Sequence, residues 1–360
     1  MEKLNNFIII LGSGINQLPF VAEAKKQGFQ TIVFDVEKKI ASDKADIFYN
    51  ISIYNTNEII ILLEKLNYNY KAIIARVTSA QGLFTGHTIA KKYNLTFASQ
   101  TLLKLGTDKT FLANFCKKNN IPIPNTKILK EFNEIKTLTL EKNSDYIIKP
   151  AMTKIGKKNI IKFQTKQELE NIFSLTSSVS DNQEVLLQKY IDGVDVGVFT
   201  IFNKNSFKII ATLDEINTLD EEFKVKAIGL HTPSLILQNP LVMKKINSII
   251  STFNKLLPNE QYFSAFSFRI DKNNNIFLIE IHTDLTGDLV MDKLLPSANF
   301  NFNFFKLYIN FLIQTTDTEK YTFQNTLLIF DDKIYINNLN ILKLKYPKLK
   351  YTKFLYKGKK

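Results

Sequence analysis

The chain has 360 residues, 45% of them hydrophobic, with a formal net charge of +13 and one cysteine. Such a length buries a sizeable core and allows two or three domains. A single cysteine excludes an intrachain disulfide and points to a reducing, cytoplasmic setting. No apolar run reaches the roughly 18 residues that span a bilayer, so membrane insertion is not expected. The basic residues are lysines spread along the chain, apart from Arg76 and Arg269, and only the tail YPKLKYTKFLYKGKK is densely basic. Scattered lysines fit a solvated surface better than a nucleic-acid face.

The first element is an apolar run, FIIIL at 7–11, too short for a signal peptide and suited to a buried strand. Gly12-Ser13-Gly14 follows as a tight turn, then a helix over 16–27 and a second strand closing on Asp35. This strand–turn–helix–strand order is that of a dinucleotide-binding unit. Gln17, however, stands where the third glycine of that fingerprint belongs, so an NAD-dependent oxidoreductase is disfavoured. The alternation continues: a helix within 55–66, a strand KAIIAR ending at Arg76, a helix over 80–93 carrying His87, and a short strand LTFA at 95–98. Ligands sit at the carboxyl ends of such strands. Gly14, Asp35, Arg76 and Ser79 all lie there and are candidate substrate contacts. Asp35 has a plain structural alternative as a loop cap, and Arg269 one as a strand-end charge.

Residues 99–125 read as two short helices and a stop, with Asp108 as the cap of the helix that carries Lys109. Cys116 reads as a small buried hydrophobe. IPIP at 121–124 ends this unit. YIIKP at 146–150 is a strand that delivers Lys149 to its end, where an ammonium meets a phosphate or snorkels to water. The loop 151–158 follows, then a second strand. EVLLQKYIDGVDVGVFTIF at 184–202 is strand, break at Asp192-Gly193, strand. Further strands are expected at 207–213 and 223–230, the latter running into His231, and a helix over about 240–257. Then comes YFSAFSFRIDKNNNIFLIEIHTDLTGD at 262–288: strand, Asp/Asn turn, strand, polar loop. Glu280 breaks an apolar run there. It either works on a ligand at a strand mouth or ends a surface hairpin in water. Helices are expected over 288–295 and 302–314, and strand-like, basic sequence over 325–355.

In their order and spacing these pieces resemble the ATP-grasp superfamily, over about residues 7–315. The resemblance is carried by the Gly-x-Gly start, TDK with Lys109, IPIP, YIIKPA with Lys149, LLQKYIDGVDVGVF and FRID…IFLIEIHTDLTGD. It implies an α/β and α+β fold: an N-terminal Rossmann-like domain (1–98), a helical linker and lid (99–190), a C-terminal ATP-grasp body (191–315) and a small basic extension (316–360). By position, Lys109 and Lys149 match the lysines on ATP phosphates. Gln188, Lys189, Tyr190 and Ile191 match the hinge that reads adenine, and Asp195 the acid on the ribose. Glu280 matches a carboxylate for Mg2+, with His282 beside it as a second metal position. The implied chemistry is carboxylate–amine ligation: ATP activates a carboxylate as an acylphosphate, which an amine attacks. Lys149, Arg269 and Glu280 would serve the transfer, Arg269 by gripping a carboxylate or phosphoryl oxygens. His231, Asp284 and Asp288 join the substrate contacts. The closest flavour is that of ligases from bacterial surface-polysaccharide (capsule) loci, soluble and commonly homodimeric.

The chain departs from the superfamily's pattern at three places. Ser267 stands where a first magnesium carboxylate is usual, His282 where an amide or carboxylate oxygen is usual, and Asp284 where an arginine is usual. Those departures keep a second class open: a nucleotide-binding protein of the same fold without ligase activity. A polyanion-binding module is the remaining alternative, resting on net charge alone.

Overall fold

The computed structural model describes residues 6–152, 159–285, 289–315, 320–330 and 353–356. Asn6–Leu11 (β1), Gln30–Asp35 (β2), Ile47–Asn50 (β3) and Asn69–Ala75 (β4) form a parallel sheet in the order β3-β2-β1-β4. The apolar run of β1 is wholly inside, Ile8 to Leu11 at 0% exposure, as a central parallel strand covered on both faces must be. Helices Leu18–Lys26 (α1), Ile40–Lys44 (α2), Thr56–Leu66 (α3) and Ala80–Lys92 (α4) make the crossovers. The order reverses between β1 and β4, so a crevice for ligands is due at their carboxyl ends. Gly12 turns there with φ +92°, and a Cβ on it would meet the Gln17 side chain at 2.8 Å. The expected strand at 95–98 is irregular chain instead. Its neighbour Ser99 donates its backbone N–H to buried Glu260, which ties this linker to the body rather than to a sheet.

Gln100–Thr107 (α5) and Lys109–Lys118 (α6) follow. Asp108 caps α6 by accepting from the Phe111 N–H at 3.0 Å. Thr126–Leu129 (β5), Tyr146–Pro150 (β6), Ile161–Phe163 (β7) and Val185–Lys189 (β8) form an antiparallel sheet in the order β5-β8-β6-β7, backed by helix Lys166–Ser177 (α7). This unit has its own core, including Leu129, Ile148, Phe163, Leu169, Phe173 and Val185. By contrast the N-terminal sheet and the C-terminal body share one continuous core. This layer falls within the part that the resemblance assigns to the lid.

The body is a seven-stranded sheet. Gly193–Asn203 (β9), Ser206–Leu219 (β10) and Val225–Thr232 (β11) precede helix Pro240–Leu256 (α8), whose Val242, Ile246, Ile249, Ile250 and Phe253 are buried at helical spacing. Gln261–Asp271 (β12) and Ile276–His282 (β13) are the expected hairpin. Gly193 is needed where β9 meets β12, since a Cβ there would lie 2.2 Å from the Ile270 carbonyl oxygen. A π-helical turn at Val290–Leu294 leads to Leu295–Ala298 (α9) and Phe304–Leu312 (α10). Thr326–Ile329 (β14) and Lys353–Tyr356 (β15) extend the sheet beyond β11. Thus the described part of the C-terminal extension continues the body's own sheet.

Candidate active site

The lid sheet and the body sheet face each other across a cleft. Its walls are apolar: Ile147 and Ile160 from the lid side, Val225 and Ile279 from the body. Polar groups gather at its ends. This is the form of a small-molecule site, with apolar faces to hold a flat ring and a few fixed charges to orient it.

One end holds Lys109, Lys149, Glu280 and Ser267. Three of the four are delivered at or near an element's end, and Ser267 from within β12. Lys109 is the first residue of α6, and its N–H donates to the Ala151 carbonyl just past β6. Lys149 is 4% exposed near the end of β6. Glu280 is near the end of β13, directly opposite Ser267 on β12. The Lys109 Nζ stands 3.6 Å from Glu280 Oε2. Burial pushes the Lys149 ammonium down to about 8, an effect that nearby Glu280 partly offsets. Burial pushes the Glu280 carboxyl up, but His282, Lys109 and Lys149 outweigh it and hold it well below the usual range. His282 Nε2 lies 3.3 Å from Glu280 Oε1. Burial alone would lower His282, yet Glu280, with help from Asp284 and Glu215, raises it to about 9. The Ser267 hydroxyl, 3.4 Å from His282 Nε2, donates to Glu215 Oε1 at 3.2 Å.

The other end is the hinge between β8 and β9. The Gln188 and Lys189 side chains are both held by lid partners: Gln188 Nε2 donates to the Thr126 hydroxyl at 2.7 Å, and Lys189 pairs with exposed Glu141. Tyr190 N–H donates to the Asp145 carbonyl. The guanidinium of Arg269 fixes this corner. Its Nε donates to the Ile191 carbonyl at 2.6 Å, Nη1 to both oxygens of Asp195 at 3.2 and 3.1 Å, and Nη2 to the Tyr190 hydroxyl at 3.0 Å. The Arg269 fork is therefore spent on the hinge and on Asp195. That differs from its expected place on a substrate carboxylate. Asp195 also accepts from Asn217 Nδ2 at 2.7 Å. Glu215 and Asn217 escaped notice in the sequence. They sit two apart in a strand that mixes polar and apolar residues, among them Asp214 and Thr218, so nothing local singles them out.

Gln188, Lys189, Tyr190, Ile191 and Asp195 thus share one cleft with Lys109, Lys149, Arg269 and Glu280. The N-terminal candidates lie elsewhere. Arg76, 3% exposed, gives a two-pronged grip to Asp292 and donates to the Asn16 carbonyl, so its fork faces protein rather than a crevice ligand. Ser79 caps α4 through the Gly82 N–H. Asp35 is bonded by the Ser13 hydroxyl and by the Ser13 and Val36 N–H groups. Gln17 Nε2 donates to the Arg76 carbonyl at 2.5 Å, which ties the β1–α1 turn to the end of β4. Gly14 is half-buried in the β1–α1 turn and accepts from the Gln17 N–H. His231 is fully buried in β11, 3.9 Å from Asp214, and burial lowers it to about 4. At 0% exposure it has no access to a substrate. Asp284 is half-buried just past β13. Asp288 and loop residues 153–158 lie outside the described residues.

Magnesium takes oxygen ligands and keeps several from phosphate or water. Glu280 fits that need. His282 fits less well: it offers an imidazole nitrogen where magnesium takes oxygen, and its Nε2 lies 3.3 Å from Glu280 Oε1. Among the described residues no three His, Cys, Asp or Glu side chains close round a metal position. The donor set suits an ion carried mainly by nucleotide phosphates and anchored by one carboxylate.

The family model described as phosphoribosylglycinamide synthetase, ATP-grasp (A) domain, matches residues 107–265. Among solved structures, the chain is similar to an L-amino acid ligase from Bacillus licheniformis, at 14% identity and a TM-score of 0.69, covering 89% of this chain and 77% of that one. An N5-carboxyaminoimidazole synthetase from Staphylococcus aureus, complexed with ADP, gives 16% identity and a TM-score of 0.68 over 95% and 86% of the two chains. A phosphoribosylglycinamide synthetase from Anaerococcus prevotii gives 19% and 0.63 over 86% and 75%. No curated protein sequence matches the chain. At these identities the structures speak for the fold: a Rossmann-like domain followed by an ATP-grasp lid and body, as the motifs implied. Among the described residues no helix is long and apolar enough to cross a membrane.

Proposed function

We propose, from the ATP-grasp domain that this chain carries, that it is an ATP-dependent ligase joining a carboxylate to an amine. The observation that supports this most is the meeting of Lys109, Lys149 and Glu280 at one end of a cleft whose other end is the hinge 188–191. Residues 1–98 would hold substrate, 99–190 would supply the linker and lid, and 191–315 the body.

Adenine would lie between Ile147 and Ile279, with the ribose toward Asp195. Arg269 keeps Asp195 and Tyr190 in place for that contact. The two ammonium groups would take the phosphate oxygens and offset the charge that builds during transfer. Magnesium, when bound, neutralises phosphate charge, and Glu280 is the side chain placed to hold it. A substrate carboxylate oxygen would attack the γ-phosphorus as the bond to ADP breaks. The amine would then attack the acyl carbon, lose a proton and expel phosphate. Lid closure keeps water from the acylphosphate between these steps.

ADP release measured over a panel of carboxylate and amine pairs tests this. Turnover should need both partners and fall at least a hundredfold in Glu280→Gln and in Lys149→Ala, since each removes a fixed charge from the transfer. Wild-type rates in both would remove the site assignment. His282 on Glu280 and the hydroxyl at Ser267 favour a second outcome, a nucleotide-binding protein without ligation. It is recognised by tight ADP binding with no release dependent on a second substrate.

A further inference from the structure

Besides the hinge, a stretch of backbone pairing joins the lid to the body. β7 is the outer strand of the lid sheet, and its free edge lies against the turn that connects β10 to β11. The Lys162 N–H donates to the Phe223 carbonyl at 3.0 Å, and the Val225 N–H donates to the Ile160 carbonyl at 3.1 Å. Between these two bonds Ile161 stands opposite Lys224 in antiparallel register.

The turn is held by its own bonds rather than by the lid. Asp220 Oδ1 accepts from the Glu222 and Lys224 N–H groups at 2.9 Å each, and its Oδ2 pairs with Lys226 Nζ at 3.1 Å. The Phe223 N–H donates to the Asp220 carbonyl at 3.0 Å, with Phe223 in the left-handed region at φ +57°. The contact also borders the nucleotide cleft. Ile160 and Val225, joined by the second bond, both line it. Lys162 links the contact to the hinge, its Nζ 2.6 Å from Asp145 Oδ2 and 4.5 Å from the Tyr190 ring centre. One end of the cleft is thus bounded by the covalent hinge and by a pairing that can open.

We propose that β7 and the turn at 220–225 form a latch, which must unpair before a nucleotide enters or leaves the cleft. The inference rests on the nucleotide reading of the cleft given above and adds the place where the lid is fastened. Backbone hydrogen bonds suit that task, because water replaces each of them on opening and their net contribution is modest.

Ile161 and Lys224, flanked by the two bonds, are a non-hydrogen-bonded pair. Such pairs put Cα atoms about 4.5 Å apart, within reach of a disulfide. The test is the full chain carrying Ile161→Cys and Lys224→Cys together, oxidised with glutathione disulfide; the native Cys116 is buried. Peptide mapping should find the 161–224 cross-link. Stopped-flow exchange of a fluorescent ADP in magnesium should then be at least tenfold slower, in entry and in release, than after reduction with dithiothreitol. Asp220→Ala loosens the turn without altering the cleft lining. It should speed ADP release about fivefold, and Asp220→Asn, whose amide oxygen still accepts N–H bonds, should restore much of the wild-type rate. Equal exchange in the oxidised and reduced forms, absence of the cross-link, or wild-type release from Asp220→Ala would overturn the latch and leave the cleft as the nucleotide site. Failure of ADP to bind the wild type and the reduced variant alike would remove the nucleotide reading and the latch with it.

Discussion

Arg76 and Asp292 lie 216 positions apart, yet their side chains form a two-pronged ion pair at 3.1 and 2.6 Å. The pair joins the end of β4 to the π-helical turn of the body, so it fixes the N-terminal sheet against the rest. Arg76 is buried and Asp292 partly open to solvent. Removing the carboxylate would leave a buried guanidinium uncompensated, at a cost of about 3 kcal/mol. Asp292→Asn should therefore lower the urea midpoint clearly, while Asp292→Glu should restore part of the loss. Equal midpoints for wild type and Asp292→Asn would show that the two layers are held by their shared apolar core alone.

Arg269 yields a contrasting prediction at the hinge. A lysine cannot reproduce three directions of hydrogen bonding at once. Arg269→Lys should release the Ile191 carbonyl, Asp195 and Tyr190 together and weaken ADP binding roughly tenfold, equivalent to about 1.4 kcal/mol. Lys189→Ala removes only an exposed pair with Glu141, so ADP affinity should stay within about twofold, as for most surface ion pairs. If the two variants behave alike, the corner built around Arg269 has no part in nucleotide binding.

Why some of this was legible in the sequence and some was not follows from range. The β1 run, the Asp108 cap, the delivery of Lys149 by YIIKP and the 262–288 hairpin are local patterns, and local patterns survive translation into structure. Helix α7 was overlooked although Thr165 and Glu168 form a capping box at its start. The partners of the two arginines were not legible, because nothing local says whether a strand-end charge faces a ligand or a carboxylate two hundred residues away. His231 illustrates the same limit. Its strand and the strand-like stretch at 325–355 are both legible, but not that β14 from that stretch pairs beside β11 or that His231 ends up wholly inside. Glu215 and Asn217 gained meaning only when β9 brought them beside Asp195.

Cys116 offers an inexpensive check on the helix that starts at Lys109. The thiol is buried and pushed up to about 12 by that burial. At pH 8 the thiolate fraction would be on the order of one in ten thousand, and only the thiolate reacts. Ellman's reagent should label no thiol in the native protein and one equivalent in guanidinium. Rapid labelling of the native form would mean that α6 is not packed as described, and Lys109 would then lose its fixed place beside Glu280.

Lys149 links the site to pH. Burial lowers its ammonium to about 8, against 10.5 for the free group. In the folded, nucleotide-free protein it therefore loses its proton as pH rises through about 8. Unfolded chains still hold that proton up to 10.5, so the cost of burying this charge, present in full below pH 8, is progressively relieved as pH rises between those two values. Nucleotide binding has the opposite sign. A phosphate placed against Lys149 favours the charged form, so binding at pH 8.5–9 should draw in up to one proton and weaken with further rise in pH. Titrations with ADP in buffers of differing ionisation enthalpy measure that uptake directly. It should shrink at pH 7, where Lys149 is already charged, and vanish in Lys149→Met at every pH. Uptake that persists in the methionine variant would assign the proton to another group and separate Lys149 from the phosphates.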